Sequence, residues 1–198
     1  MSKAVLISIR PKWCELIASG KKTIEVRKTR PKLELPFKCY IYETRGFERV
    51  GNDSLNCVIG GSGRGMVIGE FVCDMIYKFS TRVYLGEAQK ISDEDIVVKS
   101  CLSRPELRGY EGHKTGLYGW HISDLKTYEK PKELKEFYRW YESGEDIRPC
   151  QNGKPCEHLV FDYSEDCEVC GIDYDGTDCP FLKLQRPPQS WCYVEAME

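Results

Sequence analysis

The strongest constraint on how this chain folds is a change of hydrophobic period between Pro11 and Arg27. Pro11 suits the first position of a helix, where its missing N–H would have no partner. Trp13, Leu16 and Ile17 recur at helical spacing, and Gly20 stands where a left-handed residue ends a helix. From Thr23 the period becomes two, with Ile24 and Val26 pointing one way and Thr23, Glu25 and Arg27 the other. A short helix thus delivers Lys22 to a turn, and the strand after it presents a carboxylate and a guanidinium on one face.

Alternating charges on a strand commonly form a solvated face, where a Glu–Arg pair contributes little. The spacing here carries more than that. Gly20, Lys22, Glu25 and Arg27 match the G-x-K-x-x-E-x-R signature of the ASCH (activating-signal-cointegrator homology) family, which this stretch resembles. Ser8-Ile9-Arg10-Pro11-Lys12-Trp13 is similar to the lead into the family's helix, and Leu117-Tyr118-Gly119-Trp120-His121-Ile122 to the closing barrel region of phage and bacterial members. The resemblance implies an α+β fold, a PUA-like mixed β-barrel with flanking helices and a cleft beside the first helix.

The remaining pattern suits such a fold. Ala4 to Ile9 reads as a buried strand, Cys39 to Thr44 as a second and Met66 to Asp74 as a third. Leu117 to Leu125 reads as one further strand, and Trp191 to Val194 as the last, after the rigid turn Pro187-Pro188. Ser92 before Asp93-Glu94-Asp95 predicts a helix start. Leu134, Phe137, Tyr138 and Tyr141 predict a helix from Pro131 to Gly144. Residues 46–65 hold six glycines. No Gly-Lys-Ser/Thr opens a helix after them, so a hairpin loop that covers the cleft is expected rather than a phosphate cradle.

Eleven cysteines are an odd number, and with no secretory signal in the sequence, clustered ones read better as metal ligands than as disulfides. Cys156, Cys167, Cys170 and Cys179 lie in a polar stretch with few apolar anchors, and Cys167-Glu168-Val169-Cys170 has zinc-knuckle spacing. Four thiolates leave no open coordination position, so a structural zinc is expected, with Cys150, His158 or Cys192 able to replace a member. Cys14, Cys39, Cys57, Cys73 and Cys101 read as small core residues. The predicted organisation is a barrel over 1–143, a zinc-binding insertion over 144–186 and a final strand over 187–198.

Charge points to a partner. Residues 1–50 carry 12 Lys and Arg against 5 Asp and Glu, whereas 151–198 carry 3 against 10. A basic surface around the signature suits a polyanion. With no membrane-length apolar run, a cytoplasmic location is the expectation. Three functions stay open. The first is binding of RNA or a modified nucleotide, with Lys22, Glu25, Arg27, Arg10 and Trp13 as ligand contacts. The second is hydrolysis, which the resemblance raises because some ASCH proteins are N4-acylcytidine amidohydrolases and one acts as a ribonuclease. In the amidohydrolases the signature lysine activates a threonine. Glu25 stands at that position here, leaving Glu25 as base, Lys22 as oxyanion stabiliser and Thr23 as the nearest hydroxyl. The third is a zinc-stapled interaction module whose acidic C-terminal segment docks a protein. If Cys156, Cys167, Cys170 and Cys179 hold zinc, a single zinc copurifies per chain and chelation loosens the C-terminal segment while the barrel stays folded. Metal analysis beside thiol titration checks this.

Overall fold

A computed structural model describes residues 2–46, 48–50, 57–59, 63–82, 90–113, 116–140, 183–184 and 186–197, the segments 48–50 and 57–59 as backbone only. Strand β1 (Lys3–Ile9) is followed by helix α1 (Pro11–Ala18) and strands β2 (Ile24–Arg27) and β3 (Phe37–Glu43). A hairpin of β4 (Glu48–Val50) and β5 (Cys57–Ile59) precedes β6 (Met66–Cys73) and β7 (Ile76–Phe79). Helices α2 (Asp93–Ser100) and α3 (Arg104–Glu111) come next, then β8 (Leu117–His121), β9 (Ser123–Lys132) and β10 (Trp191–Glu195). The strands form a five-stranded sheet ordered β10-β1-β3-β6-β9, a three-stranded sheet ordered β2-β8-β7, and the β4-β5 hairpin. The fold is therefore of the α+β class.

β1 lies inside the larger sheet, antiparallel to β10 and parallel to β3. A strand covered on both faces must be apolar throughout, which Ala4 to Ile9 nearly achieves. Val5, Ile7 and Ile9 face a core made with Cys14 and Ile17 of α1, Phe71 and Trp120. Ala4 and Leu6 face the opposite layer, with Tyr40, Val67, Phe137 and Val194. A third cluster joins Ile24 and Val26 of β2 to Phe79, Ile96, Leu107 and Leu117, and so fixes α2 and α3 against the smaller sheet. α1 begins at Pro11 as expected, and Gly20 after it has φ +71°, a conformation open to glycine at little cost. Ser92 caps α2 by accepting from Asp95 N.

Two sequence expectations are corrected, and two further elements come to light. The single strand over Leu117 to Leu125 is two strands: β8 serves the smaller sheet and β9 the larger. At Ile122 the chain crosses between them, with Ile122 N donating to Thr23 O at 2.9 Å. The helix from Pro131 is absent among the described residues. β9 runs through Pro131 to Lys132 as an edge strand, where a missing N–H is tolerated, and one 3-10 turn follows at Leu134–Glu136. β7 and α3 were not expected. α3 carries only Leu107 and Glu111 buried, so it has no apolar stripe, yet its capping box, Ser103 with Glu106, is a local start signal.

The predicted insertion over 144–186 lies outside the described residues, except for residues 183, 184 and 186 near its end. Tyr138 and Lys183 form an antiparallel bridge, and Leu184 N donates to Phe137 O at 2.8 Å. The chain thus leaves and returns at one stem beside β10. Among the described residues no helix is long and apolar enough to cross a membrane.

Glu111, 1 % exposed, ties the C-terminal end of α3 to two other elements. Its carboxylate accepts from Ser80 Oγ (2.6 Å), Thr81 N (3.0 Å), Thr81 Oγ1 and Gly116 N (2.9 Å). Burial alone pushes this carboxyl up, and the donors from Ser80, Thr81 and Gly116 together pull it below the ordinary glutamate value. A depressed folded-state pKa gives stability that is present above the unfolded value, about 4.3, and lost as pH falls through the folded value. Glu111→Gln is expected to cost about 1.5–3 kcal/mol at pH 7, by loss of charged hydrogen bonds. Urea unfolding at descending pH checks it, because the gap between the two proteins should close in acid.

Candidate nucleic-acid interface

Lys22 follows the last turn of α1, where its N–H donates to Leu16 O at 2.9 Å. That bond turns the side chain inward, towards the first residues of β2. Glu25 and Arg27 share one face of β2, as their spacing requires. The three side chains meet: Lys22 Nζ lies 3.2 Å from Glu25 Oε2, and Arg27 Nη2 lies 3.0 Å from Glu25 Oε1. Their exposures of 2, 7 and 7 % leave them almost no contact with water.

Each cation has further anchors. Lys22 Nζ donates to Ser100 O at 2.7 Å, at the C-terminal end of α2, where the last carbonyls lack helical partners. Arg27 Nη2 donates to Ser8 O at 2.6 Å and Nη1 to Ser190 Oγ at 3.3 Å. Arg27 Nε is buried without a hydrogen-bond partner among the described residues. The cluster therefore joins α1, β2, β1, α2 and the turn before β10.

A cleft of about 640 Å³ opens above this cluster. Arg10 and Trp13 line it from the start of α1. Trp13 is half-buried, with Lys12 Nζ 4.6 Å and Lys22 Nζ 5.2 Å from its ring centroid. Tyr110 of α3 also lines the cleft, with Lys28 Nζ 5.0 Å from its ring centroid. Burial pushes the Tyr110 hydroxyl up, Arg27 pulls it down and Glu25 pushes it up again, which places it in the field of the cluster. Pro187, Pro188 and Gln189 complete the lining. Ser8 holds that turn, its N–H donating to Ser190 O at 2.9 Å and its Oγ to Pro188 O at 2.7 Å. The glycine-rich stretch returns nearby: a Cβ on Gly63 would stand 1.8 Å from Thr44 O, and Thr44 lines the cleft. Only glycine fits so close to a backbone oxygen.

Of the five residues expected as ligand contacts, all line this cleft, but Lys22 does so differently from the expectation. Its ammonium is enclosed rather than open to a ligand, because α2 sets Ser100 O upon it. Both Glu25 oxygens already accept from cations. Thr23 is not among the lining residues; its N–H and carbonyl are used by Lys99 O and Ile122 N. Sequence reasoning missed Tyr110 and Glu106 as cleft residues, since α3 itself was missed, and read Pro187 to Gln189 only as a turn. His121 forms a surface pair with Asp74, Nδ1 to Oδ1 2.6 Å, away from the cleft lining.

Cys156, Cys167, Cys170 and Cys179, with Cys150 and His158, lie outside the described residues. Among the described residues no group of three or more potential metal ligands occurs. Cys192 packs against the cluster around Tyr40 and Phe137, and burial pushes its thiol up to about 11. Cys14, Cys39 and Cys73 are buried as expected.

Removing one partner from a buried ion cluster leaves the others uncompensated, at about 3–5 kcal/mol. Lys22→Met is therefore expected to lower the melting temperature sharply, whereas Lys21→Met, at an exposed neighbour, stays within about 0.5 kcal/mol of wild type. Paired thermal melts check the contrast.

Known proteins supply a last observation. The model of the ASCH domain matches residues 7–145. A crystal structure of ASCH from Zymomonas mobilis is similar at 21 % identity and TM-score 0.47, covering 66 % of this chain and 73 % of its own. A tyrosine-to-phenylalanine mutant of that protein aligns at 20 % identity and TM-score 0.45, covering 67 % and 77 %. No curated protein matches the chain significantly. With the family model spanning residues 7–145, the helix-turn-strand signature among them, this chain belongs to the ASCH domain family.

Proposed function

We propose that the protein binds single-stranded RNA or a modified nucleotide, holding one unstacked base in the cleft. ASCH domains in general bind RNA. The observation that carries the reading is the cleft's composition: a floor of fixed donors from Lys22 and Arg27, the aromatic rings of Trp13 and Tyr110, and the cations Arg10, Lys12 and Lys28 around them. Its size lies within the range of small-ligand pockets. Aromatic rings take the face of a base, and basic side chains take phosphate. The floor is already ordered by its own ion pairs, so a ligand need not organise it.

Hydrolysis of N4-acylcytidine or of RNA asks Glu25 to activate water. Both Glu25 oxygens are engaged by cations, and Thr23 lies outside the lining, so binding is the better-supported reading. A structural zinc on Cys156, Cys167, Cys170 and Cys179 belongs to the same proposal, with sequence spacing as its support.

Fluorescence anisotropy on short single-stranded RNA tests the reading. Affinity is expected to fall steeply with salt, and Arg10→Ala, at an exposed position, to reduce the slope of log K against log salt by about one. Trp13→Ala is expected to cost about 1–3 kcal/mol of binding. Mass spectrometry of the RNA and of added modified nucleosides should show no product. Salt-independent affinity, or turnover abolished by Glu25→Gln, would overturn binding as the function.

A further inference from the structure

The cleft has one wall from outside the family match. Residues 7–145 supply the floor and the aromatic rings, while Pro187, Pro188 and Gln189 enter from the turn before β10. This turn is rigid. Two prolines fix their own φ angles, and Ser8 N, Ser8 Oγ and Arg27 Nη1 all donate into the four residues Pro187 to Ser190. It presents Gln189, which is exposed and makes no hydrogen bond among the described residues.

The other parts of the cleft read a base edge less directly. Lys22 and Arg27 offer donors only, and most of those are already spent on Glu25, Ser100 O, Ser8 O and Ser190 Oγ. Stacking on Trp13 or Tyr110 is available to any base. Glu106 has one oxygen committed to the capping box, at 2.8 Å from Ser103 N and 2.7 Å from Ser103 Oγ. Among the described lining residues, Gln189 alone carries a coplanar donor and acceptor.

Resting on the RNA-binding reading above, we infer that Gln189 pairs with the edge of the base held in the cleft. An amide matches an edge that shows one donor beside one acceptor, as adenine does at N6 and N1 or at N6 and N7, cytosine at N4 and N3, and guanine at N1 and O6. The wall is thus the part of the site that reads the edge of the base, beside a floor and aromatic rings that hold it.

The test compares two RNA pentamers, uridines around a central guanine or a central adenine, which keep stacking and base size nearly constant. Glu in place of Gln leaves two acceptors, which match the adjacent N1–H and N2–H of guanine and repel adenine N1. Gln189→Glu is expected to weaken both pentamers through its charge while moving the adenine-to-guanine Kd ratio towards guanine by about fivefold or more. A similar swing towards adenine would support the contact and assign it to the N7 edge. Gln189→Leu should weaken the adenine pentamer at an unchanged melting temperature, which a purely structural residue would not do. An unchanged ratio in Gln189→Glu, with RNA still bound, would overturn the role of Gln189 and leave the binding reading intact. If neither pentamer binds the wild-type protein, the RNA-binding reading falls and this inference with it.

Discussion

The interaction on which the rest depends is the closed set of contacts around Glu25. Its carboxylate sits between Lys22 and Arg27, and each cation then reaches a different part of the fold. Lys22 holds the end of α2, while Arg27 holds β1 and the turn before β10. Apolar residues of similar volume often stabilise an interior as well as a buried ion pair does. They cannot specify direction. A hydrogen bond from Arg27 to Ser8 O fixes where β2 crosses β1, which a leucine contact would leave loose. The same atoms form the floor of the cleft, so the fold and the site share one set of constraints.

Sharing of this kind explains how the site is divided. The floor is buried and largely paired within itself, with Arg27 Nε left over among the described residues, and it offers a ligand only what that pairing leaves. Adaptable contacts lie higher, on Trp13, Tyr110 and Gln189, which are partly or fully exposed. Substitution at the floor acts first on folding, and substitution on the walls acts first on recognition. A loss of binding at Lys22 is therefore weak evidence of contact unless stability is measured beside it.

How much of this was legible in the sequence follows from the range of each interaction. β1, α1, β2 and the cap of α2 were readable because Ala4 to Ile9, Pro11, Gly20 and Ser92 act locally. The gathering of Glu25 and Arg27 on one face followed from period two. The burial of Lys22 was not readable, because its partner Ser100 lies 78 residues away. Leu134, Phe137 and Tyr138 imitated a helix because Phe137 is buried for another reason: its ring packs on Tyr40, with centroids 4.9 Å apart. α3 was missed because its buried residues include a glutamate, whose place is made by Ser80, Thr81 and Gly116. The divided strand at Ile122 was hidden because apolar residues continue across the crossing.

The order of β10 beside β1 sets the timing of assembly during synthesis. β1 emerges from the ribosome before the other strands described, yet its neighbour on one side is made about 190 residues later, and Arg27 waits 163 residues for Ser190. Until then β1 offers an open edge of backbone donors and acceptors, and Arg27 lacks one of its fixed acceptors. Domains that fold from the N-terminus as they emerge do not face this delay. Here a chain interrupted within the cysteine-rich segment exposes an apolar strand edge, the feature that draws other chains into aggregation and chaperones into attendance. Ribosome pausing in that segment is consequently a hazard to the nascent chain, although every residue of the signature has long since been made.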